Sequence, residues 1–126
     1  MLSQVTAVGF VSTTDTVRAR AFYEGVLGLE VTADPFALVA RVGDAMLRIT
    51  TLPAFAASEA PVFGFRVADA TAETAALAGK GVTFEQYAFL GDAQSPDGVW
   101  TGPDGTQVSW FKDPDGNLLS LTSHGV

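Results

Sequence analysis

Few side chains in this sequence are of types that make or break bonds. It has no cysteine and one histidine, His124, two residues from its end. A Cys/His pair, a thiolate nucleophile and a Cys-based zinc site are therefore excluded. A Ser/His/Asp triad would have to use His124, and no serine sits in a nucleophile elbow. The glycines are scattered at turns, with neither G-x-G-x-x-G nor a P-loop. Glu85 and the acids between Tyr87 and Asp97 would serve as a general base only if buried. What remains is recognition chemistry. Trp100, Trp110, Tyr87, Phe89 and Phe36 offer aromatic faces for stacking, and Arg48 offers a planar cation that pairs with anions. Arg48, Thr50 and Ser120 alternate with Leu47, Ile49, Leu119 and Leu121, so on strands they face away from the core. Two readings stay open for each: Arg48 contacts a ligand or pairs with an acid, and Trp100 and Trp110 bind or pack.

The elements that carry these residues are short. At 126 residues, 48% hydrophobic and 17% charged, the chain suits one domain with a genuine core and is not disordered. A net charge of −7 gives no basic face for nucleic acid and disfavours an anionic membrane surface. Met1 to Gln4 lack a signal-peptide pattern, and no apolar run approaches the ~20 residues of a membrane span, so a cytoplasmic protein is expected. Val5 to Val11 reads as a strand, Asp15 as an N-cap, and residues 16–27 as a helix with Val17, Ala21, Phe22 and Val26 as its apolar stripe. Gly28 stops it. Strands follow at 29–32, 36–42 and 45–50, with Gly43–Asp44 as a hairpin turn. After the Ala/Ser/Pro-rich stretch 53–60 the order repeats. A strand at 63–67 precedes Asp69 as N-cap, a helix over 70–79, and strands at 82–85, 99–101, 108–112 and 118–122.

Gly9–Phe10 matches Gly64–Phe65, Asp15 matches Asp69, and Gly28 matches Gly81, with a separation that shrinks by one at each step. Each half reads β-α-β-β-β, module 1 over residues 1–52 and module 2 over 61–126, joined by a linker at 53–60. One half cannot cover the apolar face of its own sheet, so the two are expected to pack as one domain. A ferredoxin-like α+β sandwich with chance similarity is the alternative.

Asp15 with Phe22–Tyr23 and Leu27–Gly28–Leu29 resembles the "D…FY…LGL" signature of the vicinal oxygen chelate superfamily. That group includes glyoxalase I, bleomycin-resistance proteins and extradiol dioxygenases. Phe111–Lys112–Asp113–Pro114–Asp115–Gly116–Asn117–Leu118–Leu119 is similar to its "F-x-DPDGN" signature. The resemblance implies an α+β fold of two tandem modules whose curled mixed sheets form an open cup. It also implies that Phe22 and Leu27 anchor the first helix in the core. Metal-using members place His, Gln or Glu at four strand positions. These fall here on Val8 (or Ala7), Arg48, Val62 and Ser120, none a usual ligand. A member binding no metal or other cofactor is therefore expected. The expected ligand is a small aromatic or anionic molecule in the cup, held by Arg48, Trp100, Trp110, Ser120, Phe36 and Tyr87. The alternatives are an enzyme with a metal-free mechanism, or a metal-dependent lyase, isomerase or dioxygenase of the same superfamily. A homodimer is implied as well, and apolar segments such as Pro53–Ala57 and Tyr87–Leu90 support it.

Overall fold

Asp15 and Asp69 start the two helices in the same way. Each has extended backbone (φ −147° and −145°), and each carboxylate accepts from the N–H three residues on, Arg18 at 3.0 Å and Ala72 at 3.1 Å. A computed structural model describes residues 1–125. By contacts the chain divides into two units, Met1–Ala57 and Ser58 onward.

In the first unit, β1 (Val8–Thr13) leads into α1 (Thr16–Arg20), which continues as a π-helical segment, Ala21–Val26. Then come β2 (Glu30–Ala33), β3 (Ala37–Val42) and β4 (Ala45–Thr51). The sheet order is β1-β4-β3-β2, with β1 and β4 parallel and the other pairs antiparallel. The core face carries Val11, Leu47, Ile49, Leu38, Ala40 and Val31. The expected helix stripe is corrected here. Val17 is exposed, and Ala19 and Tyr23 are the residues that α1 and its extension bury. Ala19 and Tyr23 are four residues apart and share one helix face, so the buried stripe has a different phase from the expected one, already set ahead of the π-helical segment. Tyr23, fully buried, is the anchor expected of Phe22 and Leu27, which are only half-buried.

In the second unit, β5 (Phe63–Arg66) and α2 (Ala70–Ala78) precede β6 (Trp100–Thr101), β7 (Gln107–Lys112) and β8 (Leu118–Ser123). The order is β5-β8-β7-β6, again with one parallel pair, β5 with β8. α2 buries Ala70, Thr74 and Leu77, and Thr74 Oγ1 lies 2.8 Å from Ser109 Oγ on β7. Residues 82–85 do not form the expected strand. Phe84 makes a single bridge to Phe111 on the same edge of β7 that β6 occupies further along. The irregular stretch between them splits what is one edge strand, β2, in the first unit. Each unit is thus a β-α-β-β-β module with an open four-stranded mixed sheet, giving the expected α+β class. No helix among the described residues is long and apolar enough to cross a membrane.

Strand pairing also corrects the internal alignment. Phe10 lies opposite Arg48 and Gly64 opposite Ser120, and both stand the same distance before their N-cap. Phe10 therefore corresponds to Gly64, not to Phe65. A shared Gly-Phe dipeptide suggested the other match, but hydrogen-bond register decides it.

The β7–β8 turn is fastened by one buried carboxylate. Asp113 Oδ1 accepts from the N–H groups of Asp115 and Asn117, both at 2.9 Å, and Oδ2 accepts from Asn117 Nδ2 at 2.8 Å. Gly116, with φ 88°, closes the turn in a region that other residues avoid. Asp113→Ala leaves buried donors without an acceptor, and we expect it to cost about 2–4 kcal/mol in urea unfolding.

Candidate functional site

The outward face of the second sheet has a defined order of residues. Gly64, Ser120 and Trp110 lie side by side across β5, β8 and β7. A Cβ at position 64 would stand 2.7 Å from Ser120 Oγ, so glycine keeps this rung open beside the indole. Beside Trp110, the segment 85–98 brings in Tyr87. Its ring meets that of Trp110 nearly perpendicularly (78°) at 5.4 Å, and Phe89 lies 5.6 Å from Tyr87. Glu59, Pro61, Tyr87, Phe89, Leu90, Trp110 and Leu118 line an open cavity of about 300 Å³.

The segment is irregular, but a buried amide holds it. Gln94 Oε1 accepts from Tyr87 N–H at 2.8 Å, and its Nε2 donates to Glu85 O at 2.9 Å and Gly98 O at 3.0 Å. Side-chain hydrogen bonds thus replace a strand ladder here. Glu85 N–H also donates to Trp110 O at 2.8 Å, which sets the segment along β7. Burial, then the nearby Glu85 carboxylate, raises the Tyr87 phenol above its ordinary 10.0, with Lys112 opposing. Tyr87 therefore stays a neutral phenol at physiological pH.

Trp100 is on the same sheet face, opposite Val108, but does not line the cavity. Its ring lies over Gly102, where a Cβ would come within 2.7 Å of it. Arg48 and Phe36 belong to the first unit. Arg48 Nη1 lies 2.8 Å from Asp34 Oδ2, so the guanidinium has an acid partner. Asp34 Oδ1 caps the same turn, accepting from Phe36 and Ala37 N–H at 2.8 Å each. Phe36 itself is 80% exposed. The structure thus joins Tyr87, Trp110 and Ser120 on one face, with Trp100 further along it, and sets Arg48 and Phe36 around Asp34. Sequence reasoning missed Leu118, Glu59 and Pro61 as lining residues and Gln94 as the residue that positions Tyr87. Only tertiary contacts identify them. Glu85, the candidate base, sits 3.5 Å from Lys112, and Asp92 and Asp97 are exposed, so none of these carboxylates is a buried base.

A family model of the Glyoxalase/Bleomycin resistance protein/Dioxygenase superfamily matches residues 4–121. The chain belongs to this superfamily. Solved structures with the same fold include a lactoylglutathione lyase from Agrobacterium tumefaciens: TM-score 0.72, 18% identity, covering 95% of this chain and 93% of that one. A glyoxalase family protein from Enterococcus faecalis has TM-score 0.73 and 20% identity over 97% of this chain and 99% of that one. A glyoxalase/bleomycin resistance protein/dioxygenase from Alicyclobacillus acidocaldarius has TM-score 0.71 and 16% identity over 96% and 92%. At these identities the likeness concerns the fold. Comparison with the curated proteins found no match.

Superfamily members that use a metal need oxygen or nitrogen donors at the four strand positions. Here Val8 and Val62 are equivalent in the two modules and offer none, and the Ala7 carbonyl already accepts from Met46 N–H. Arg48 is a cation, and Ser120 supplies a single hydroxyl. Among the described residues no group of three or more His, Cys, Asp or Glu is placed to hold a metal. These four positions do not fit a divalent ion.

Asp34 provides a direct test of the Arg48 pairing. The Phe36 N–H, then Arg48, then the Ala37 N–H hold its carboxyl below the ordinary 3.8. Its contribution to stability is present above 3.8 and is lost as pH falls through the lower folded value. In Arg48→Met the Asp34 carboxyl carbon, followed by NMR, should titrate at higher pH than in the wild type. It should remain below 3.8, because both backbone donors persist.

Proposed function

We propose that this superfamily member binds a small aromatic organic molecule in the cavity of its second module, and does so without a divalent metal. The observation that carries this reading is the group of three rings, Tyr87, Phe89 and Trp110, around an open space of about 300 Å³. An apolar concavity with few polar groups suits a small ligand. Phe89 is 84% exposed, an unfavourable position for a phenyl ring in water unless something covers it. The four strand positions favour the metal-free form. The pairing of Arg48 with Asp34 leaves the aromatic part of the expected ligand better supported than the anionic part.

Fluorescence titration with the neutral aromatic 1-naphthol tests the reading. Binding should survive in Trp100→Phe, be unchanged by chelator and added zinc, and weaken at least about tenfold in Trp110→Ala, since an aromatic wall is worth roughly 1.5 kcal/mol. Binding that requires added metal would return the protein to the metal-dependent reading.

The proposal includes a homodimer. Val8, Phe10 and Met46 form an apolar patch on the outward face of β1 and β4, and Phe10 is 63% exposed. Such a patch is commonly closed by a twofold contact. Light scattering should give twice 13.1 kDa, and Phe10→Asp should give a monomer.

A further inference from the structure

We propose that the ring-lined cavity selects an organic cation, with Tyr87, Phe89 and Trp110 around an ammonium head and Glu59 as its counter-ion. This rests on the reading that the cavity binds a ligand.

Three observations point to a cation. The first is ring geometry. Tyr87 and Trp110 meet at 78° with centroids 5.4 Å apart, and Phe89 is tilted 35° from Tyr87 at 5.6 Å. The first pair is edge-to-face and the second tilted, so neither forms a parallel slot. A flat neutral plate stacks on one wall, whereas a rounded ammonium head touches two at once. Ring faces carry negative potential and attract cations within ~6 Å of the centroid.

The second is charge. Glu59 is the one charged residue among those lining the cavity. It is exposed and takes part in none of the ion pairs among the described residues. Glu85 and Lys112, which both act on Tyr87, lie 3.5 Å apart and largely cancel. An anion entering here would meet an unbalanced carboxylate and no lining cation. A cation would meet a counter-charge and three rings.

The third is the field of the whole chain. A net charge of −7 raises the local concentration of cations and lowers that of anions. The effect weakens as salt rises, so salt dependence is part of the test.

The experiment compares three probes of one size: phenyltrimethylammonium, its neutral isostere tert-butylbenzene, and the anion benzenesulfonate. Each is titrated into the full chain by NMR at low and at 0.5 M salt. At low salt the cation should bind about tenfold tighter than the isostere, and the anion weakest of the three. High salt should narrow that gap. Glu59→Gln should weaken the cation about fivefold and leave the isostere within about twofold. Tyr87→Ala should weaken both. If the isostere binds as tightly as the cation, or Glu59→Gln changes neither, the cation proposal is overturned and the aromatic-ligand reading stands. If no probe binds and 1-naphthol also fails, both fall together.

Discussion

The register between β7 and β8 is the constraint on which the rest of the second module depends. Side chains alternate across a sheet, so a slip of one residue would turn Trp110 to the core and Phe111 to the outside. Asp113 prevents the slip by closing the turn with its own carboxylate, leaving Trp110 opposite Ser120 and Phe111 opposite Leu119. With Phe111 fully buried, its ring lies 5.4 Å from Phe84. That contact and the Glu85–Trp110 backbone bond seat the irregular segment, and Gln94 secures its far end. Tyr87 meets Trp110 as the last step in this chain of constraints.

The two modules show how one backbone plan supports different surfaces. Both start a helix on an aspartate and pair the first strand in parallel with the last. At one equivalent pair of positions the first module has Phe10 beside Arg48, and the second has Gly64 beside Ser120. The first pair fills its rung with a phenyl ring and a guanidinium tied to Asp34. The second leaves its rung low, so that Trp110 stands next to open space. The core faces stay alike: Leu47 and Ile49 in one, Leu119 and Leu121 in the other. Burial restricts that face to well-packed apolar side chains. The outward face is free of that restriction and can diverge.

In each module a cation of the sheet is paired with an acid of its own module. Asp34 with Arg48 and Glu85 with Lys112 are short pairs at partly exposed positions. Pairs of this kind add little stability, but each removes a free charge from its surroundings. What is left in the second module is a ring-rich surface with an acid at its rim, in a chain of net charge −7.

How much was legible beforehand follows from which signals are local. The N-caps Asp15 and Asp69, the Asp113–Asn117 turn, the alternation that buries Leu47, Ile49, Leu119 and Leu121, and the superfamily itself could all be read from the sequence. Each depends on residues within a few positions of one another, where steric and hydrogen-bonding preferences act directly. The helix phase that buries Ala19 and Tyr23 instead of Val17 and Phe22 was not legible, because packing selects it. Nor was the absence of a strand at 82–85, where one bridge and a glutamine amide supply what a ladder otherwise would. The candidate site divides the same way. Aromatic content and the lack of metal donors were plain from residue types. Which aromatics meet, and that Arg48 is held by an acid fourteen positions earlier, depended on contacts between segments distant in sequence. Such contacts are fixed by strand register and side-chain packing, which only the folded chain determines.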